Sequence, residues 1–163
     1  MTRIINTIKL NKKIAYLQKL KSLNKESGLI FNSLDNILND FIGHKLFTIL
    51  KFDKINSNLE RVYTSKPREY PLQGKKDVIR NFWQVQVLEK GIAYIGYNSQ
   101  DIKNSFSDFD LIKKLGCSSV LIIPVKSGDN IKGSVNLLHE ESWYSNNHVK
   151  IAQSLVSVIS EAL

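Results

Sequence analysis

Apolar residues fall into two kinds of rhythm along the chain, and the change from one to the other marks the elements. Ile4, Ile8, Leu10, Ile14, Leu17, Leu20 and Leu23 recur about every three or four positions, which predicts an amphipathic helix over 3–23. Asn24 to Ser27 interrupts it. Ile30, Leu34, Ile37, Leu38 and Phe41 then form one stripe of a second helix, which Gly43 ends as a C-terminal cap would. From Lys45 to Asp53 the period becomes two, with apolar residues on both faces, so a strand is expected, and Leu59 to Ser65 is its hairpin partner across the polar turn 54–58. The stretch Lys66–Lys76 carries Pro67 and Pro71 and reads as irregular. Val78–Glu89 is predicted helical, with Trp83 and Val87 one turn apart, and Gly91–Gly96 is a short strand. Ser107-Asp-Phe-Asp110 has the form of a capping box and should open a helix that stops at Gly116. Ser118–Val125 and Ile131–His139 form a second hairpin, and Asn146–Ala162 a closing helix with Ile151, Leu155, Val158, Ile159 and Ala162 as its stripe. Hairpins dominate this order, so the fold class is α+β with a mainly antiparallel sheet.

Length and composition narrow the class without naming a chemistry. A chain of 163 residues amounts to about one domain, able to bury roughly 70% of its unfolded surface without metal or disulfide support. Apolar residues at 42% and charged residues at 23% exclude a disordered or fibrous chain. Its longest apolar runs fall far short of the roughly 18 residues a membrane span requires. The start shows neither a continuous apolar core nor a small-residue cleavage site, so no secretory signal is expected and the cytoplasm is the expected compartment. A single cysteine excludes an internal disulfide framework.

Charge divides the chain in two. The net charge is +8, yet residues 1–25 hold seven basic residues and no acid, so the remainder, with 16 bases and 15 acids, is nearly neutral. This suggests a basic amphipathic leader over 1–25 and a domain over 26–163. The lysines are expected to solvate the outer face of a helix docked on its own domain or on a second copy. Nucleic acid is not the expected partner for a nearly neutral body whose leader has no aromatic residue except Tyr16.

Three segments resemble a GAF domain, over about residues 27–163. One is the strand Ser118-Ser-Val-Leu-Ile-Ile-Pro-Val after a helix ending Lys114-Leu-Gly. Another is the hairpin Gly128-Asp-Asn-Ile-Lys-Gly-Ser-Val-Asn-Leu-Leu, and the last is the aromatic turn Trp143-Tyr-Ser-Asn-Asn before the closing helix. The resemblance implies a GAF/PAS-like five- or six-stranded sheet, with the terminal helices packed on one face and a small-molecule cavity on the other. It also implies pairing of the terminal helices with a second copy. The implied cavity is roofed by Lys66–Glu89 and Tyr97–Leu115, with a floor near Tyr94, Ser118, Ser119 and His139.

The candidate ligand residues are then Trp83, Tyr94 and Tyr97 as stacking surfaces, Asp110, Ser118, Ser119 and His139 as polar ends, and Lys75 with Lys76 to draw in an anion. A small anionic or polar aromatic guest is expected, bound by a homodimer and not turned over, with Trp83→Ala abolishing binding while leaving the fold intact. Catalysis has little to stand on. Cys117 has no second cysteine for the thiol exchange that some GAF domains use to reduce free methionine sulfoxide. It reads as a small buried thiol rather than a pigment anchor. His44, His139 and His148 lack metal-ligand spacing; His139 reads as a strand-end histidine bonded to backbone, with Glu140 and Glu141 near enough to orient it or raise its pKa as the alternative. Asp108 and Asp110 sit where helix capping accounts for both. No cofactor is assigned. The alternatives are a degenerate GAF scaffold with a filled cavity that binds a partner protein, and an enzyme of a chemistry not recognised in the residues.

Overall fold

The computed structural model describes residues 7–163. Arg3 and Ile4, assigned by sequence to the leader helix, lie outside the described residues. Helix α1 (Thr7–Ser22) is followed by α2 (Ser27–Phe41), the hairpin β1 (Leu46–Asp53) and β2 (Asn58–Thr64), and a two-residue strand β3 (Lys76–Asp77). Then come α3 (Phe82–Gln84), continued by a π-helical turn (Val85–Glu89), β4 (Tyr94–Gly96), α4 (Ser99–Ser105) and α5 (Phe109–Lys114). The hairpin β5 (Ser119–Ser127) and β6 (Asn130–His139) leads to α6 (Asn146–Val156), which tightens into a 3-10 helix (Ser157–Ala162).

The six strands form one sheet in the order β3-β2-β1-β6-β5-β4, every neighbouring pair antiparallel. Both hairpins have apolar residues at successive positions because both faces of the sheet are covered. One face presents Phe47, Ile49, Leu121, Ile123, Val135 and Leu137 to α1, α2 and α6. The other presents Leu46, Val120, Ile122 and Leu138 to Trp83, Val87, Ile102 and Ile112. The terminal helices thus share one face, as expected.

The aromatic turn before α6 fixes where α2 ends. Gly43 takes φ +92°, and a Cβ there would crowd Trp143 at 3.2 Å. The Trp143 indole N–H donates to the Ile42 carbonyl at 3.0 Å and the Tyr144 hydroxyl to that of Gly43 at 3.3 Å, satisfying acceptors that a helix end leaves open.

Several elements differ from expectation. The helix expected over 78–89 starts only at Phe82, because Arg80 sits at φ +53° and Asn81 caps α3 by accepting from the Gln84 N–H. Helix α4 has no counterpart in the apolar pattern. Its sequence is short and polar, and Asn98 starts it by accepting from the Asp101 N–H at 3.0 Å. The Ser107 capping box does not form: α5 begins at Phe109, with Asp108 at the cap position making no side-chain cap bond. The closing helix changes to 3-10 geometry after Val156.

The leader docks the middle of its stripe on its own domain, while Ile8 and Leu23 stay exposed. Leu17 and Leu20 are buried, and Leu10 and Ile14 are half-buried, against the core formed by α2 and α6. Lys21 pairs with Glu161 at 3.0 Å.

Candidate functional site

Over β1, β2 and β6, on the face away from the terminal helices, the sheet leaves a cavity of about 260 Å³. Apolar residues line most of it: Leu50, Leu59 and Leu138 below, Trp83, Phe106 and Ile112 above. Tyr70, Gln73, Lys76 and Asp77 line it on the side of the proline-bounded loop and β3. This volume lies just under the usual range of about 300–1,000 Å³ for ligand pockets, a space for one small metabolite.

Its floor is polar where packing alone would make it apolar. Thr48 and Asn136 are register partners across β1 and β6, and only 3% and 2% exposed. Alternation within β1 points Leu46, Thr48 and Leu50 at the cavity side, so Thr48 replaces an aliphatic residue in an inward row. The Asn136 amide oxygen accepts the Ser134 hydroxyl at 2.8 Å. That leaves the amide N–H₂ as the group Asn136 can offer a guest.

Arg61 on β2 is the buried charge of the site. Its Nη1 donates to the Pro71 carbonyl at 2.5 Å, and its Nη2 lies 3.5 Å from the Asp108 carboxylate. The guanidinium carbon sits 3.7 Å from the centre of the Tyr70 ring, a cation–π contact. Nε is buried without a hydrogen-bond partner. Burial, with the negative charge of Asp108 added, pushes the Tyr70 hydroxyl far above the usual tyrosine range.

Trp83 joins roof to core. It is 3% exposed, its ring lies tilted against Phe106 with centroids 6.0 Å apart, and its indole N–H is bonded to the Ser105 carbonyl.

Of the nine residues expected to line the site, only Trp83 and Lys76 do so. Sheet order and strand alternation explain most of the rest. Tyr94 sits on β4, the far edge strand, and with Tyr97 lines a separate groove beside α6. Ser119 and His139 are cross-strand partners whose positions alternate onto the helix side of the sheet. The Ser119 hydroxyl donates to the Glu140 carbonyl at 2.5 Å, and the His139 ring stacks on Trp143 at 3.6 Å. The Glu140 N–H donates to His139 Nδ1 at 2.8 Å, and burial holds the His139 pKa below its usual value rather than Glu140 raising it; Glu140 is itself paired with Lys45 at 2.9 Å. The Ser118 main-chain N–H donates to the His139 carbonyl, outside the cavity. Asp110 is exposed on α5, and it is Asp108 that reaches the cavity. Lys75 faces the outer groove by the β1–β2 turn, leaving Lys76 at the cavity.

The residues that sequence reasoning missed are Thr48, Arg61, Tyr70 and Asn136. The usable signal was a polar residue at an inward position of an apolar strand, which is informative where an exposed leucine is not. Cys117 lies in the core on the cavity side of the sheet, and burial pushes its thiol up to about 11. Among the described residues no cluster of His, Cys, Asp and Glu is placed to hold a metal ion, and no helix is long and apolar enough to cross a membrane.

No family model and no curated protein matches the sequence. Solved structures do match the fold. The phycocyanobilin-bound GAF domain of a cyanobacterial phytochrome superposes with a TM-score of 0.72 at 14% identity, covering 94% of this chain and 92% of that one. The GAF domain of an Acinetobacter phosphoenolpyruvate-protein phosphotransferase gives 0.70 at 11% identity, over 93% and 90% of the two chains. The free methionine-R-sulfoxide reductase of Neisseria meningitidis, solved with its substrate, gives 0.66 at 11% identity, over 94% and 87%. Identities this low speak to architecture alone, and on architecture the chain has the fold of a GAF domain.

Proposed function

We propose that this GAF-fold protein is a cytoplasmic sensory module that binds one small molecule in the cavity over β1, β2 and β6 and does not transform it. The observation that carries this reading is the buried polar floor. Thr48, Asn136 and Arg61 each place hydrogen-bonding groups at a cavity that aliphatic side chains could have filled, and buried polar groups are costly unless something satisfies them. The open volume argues against the filled-scaffold alternative. Reductase chemistry of the methionine sulfoxide type is disfavoured because the sequence has one cysteine, whose thiol is buried and held protonated at neutral pH.

The output of such a module is a change in association, and a homodimer through α1 is the form we propose. Ile8 at 69% and Tyr16 at 47% exposure lie on the outer side of α1, with Leu23 at 56% just past its end. Native mass spectrometry of the purified protein tests both parts at once. A monomer mass with no retained small molecule, together with no thermal shift across a metabolite library, would reject the sensor reading.

A further inference from the structure

We propose that the molecule held in this cavity carries a carboxylate, and that it binds by taking Arg61 over from Asp108. The proposal rests on the small-molecule reading above and names its ligand class. A guanidinium has five N–H donors. Arg61, 8% exposed, uses two of them: one to the Pro71 carbonyl, and one to Asp108 at 3.5 Å. That second distance is well beyond the roughly 2.7–2.9 Å of a strong charge-assisted bond. Nε has no partner at all. A buried charge this poorly matched is held short of its bonding capacity, and a planar two-oxygen anion is the group whose geometry meets the guanidinium edge. Tyr70 covers one face of the guanidinium, which leaves the edge for binding.

Asp108 is built to give way. Its side chain is 21% exposed against 7% for Arg61, so it can turn to water, giving up its contact with the Tyr70 hydroxyl along with Arg61. It occupies the cap position of α5 without making a cap bond, so leaving Arg61 unmakes no cap and frees the carboxylate to form one. With a single buried cation and a carboxylate beside it, the cavity favours a monoanion over a phosphate dianion. Trp83, Phe106 and Leu138 offer the body of the guest an apolar slot, and Thr48 and Asn136 can hydrogen-bond it from below. Because Arg61 ties β2 to the Pro71 loop and to the start of α5, the exchange alters how the roof is held to the sheet.

NMR titration of the full chain with isobutyrate, benzoate and 3-phenylpropionate, each against its amide, tests this. At least one carboxylate should perturb the amides of Thr48, Arg61 and Asn136 and bind at least about tenfold tighter than its amide, about 1.4 kcal/mol. Asp108→Asn should tighten that carboxylate further, and Arg61→Gln should erase the preference. Equal binding of acid and amide, or weaker carboxylate binding in Asp108→Asn, overturns the carboxylate assignment and leaves the binding reading standing. No perturbation of the cavity by any of the six probes overturns both. Should Arg61→Gln fail to fold, the Asp108→Asn comparison alone decides.

Discussion

The indole N–H of Trp83 donates to the main-chain carbonyl of Ser105 at 2.9 Å, and Asn81 Nδ2 reaches the same oxygen at 3.1 Å. Two donors from the start of one helix thus converge on the end of another, α4. The ring that lines the cavity is therefore also what holds its roof together, so the two roles cannot be separated by truncation.

Trp83→Ala is accordingly expected to cost about 3–5 kcal/mol of stability, as loss of a buried aromatic does, rather than to leave the fold intact. Trp83→Phe keeps an aromatic wall, and Asn81 still satisfies the Ser105 carbonyl, so the lost hydrogen bond should cost only about 1 kcal/mol. Urea denaturation of both variants checks the difference.

On the opposite face, His44 Nε2 lies 2.7 Å from Asp35 Oδ1, and the Tyr63 hydroxyl donates to Asp35 Oδ2 at 2.8 Å. Removing Asp35 takes the carboxylate from the buried His44 ring and the acceptor from the half-buried Tyr63 hydroxyl, which keeps only the Asn32 amide, so Asp35→Ala should destabilise by about 1–3 kcal/mol. Burial and then the bond to Asp35 raise the Tyr63 pKa to about 12. A group whose folded pKa is raised stabilises fully below its unfolded pKa of about 10 and loses that contribution as pH climbs toward 12. Stability measured from pH 9 to about 12 should fall, and less steeply in Tyr63→Phe.

Gly133 on β6 lies so close to β1 that a Cβ would overlap the Leu50 carbonyl oxygen and press on the Leu163 side chain. Gly133→Ala must push β1 and β6 apart at the centre of the sheet. The expected cost is about 3 kcal/mol, the upper end for overpacking, read as a lowered denaturation midpoint. A midpoint unchanged from wild type would mean the strands have slack there.

Pairing of two copies through α1 brings Lys12 and Lys19 of each close to those of the other on the same ridge as Tyr16. Their repulsion is screened by salt, so the proposed dimer should strengthen as ionic strength rises. Light scattering at low and high salt reads this directly, and weaker association at high salt would point to a charge-driven contact instead. Deleting residues 1–24 should weaken the dimer and also expose the core that Leu17 and Leu20 cover.

Long periodic segments were legible in the sequence and short ones were not. The α2 stripe and both hairpins stand where their spacing puts them because each buries a continuous apolar row. Helix α4 and the Asn81 cap escaped because one polar turn of helix has no period to show. The site escaped for a topological reason. Tyr94 reads as a cavity residue only if β4 lies beneath the ligand, whereas the cavity lies over β1, β2 and β6; Ser119 and His139 miss it because they alternate onto the helix side of the sheet. Arg61 is not legible because a strand arginine is ordinarily solvated, and it is covered here by Tyr70, in the loop between Pro67 and Pro71.

The centre of the sheet joins its most distant parts of chain. Leu46 pairs with Leu138 and Phe47 with Leu137, whereas β1–β2 and β5–β6 are hairpins closed by short turns. Contacts so far apart in sequence are slow to form because a long loop must close first. Each hairpin can zip on its own, but until they meet each carries one unsatisfied inner edge. On a ribosome, β1 must wait with that edge open until β6 has emerged. Pulse-labelling hydrogen exchange during refolding should therefore protect the β5–β6 turn before the Phe47–Leu137 seam, and simultaneous protection would show that the seam itself nucleates folding.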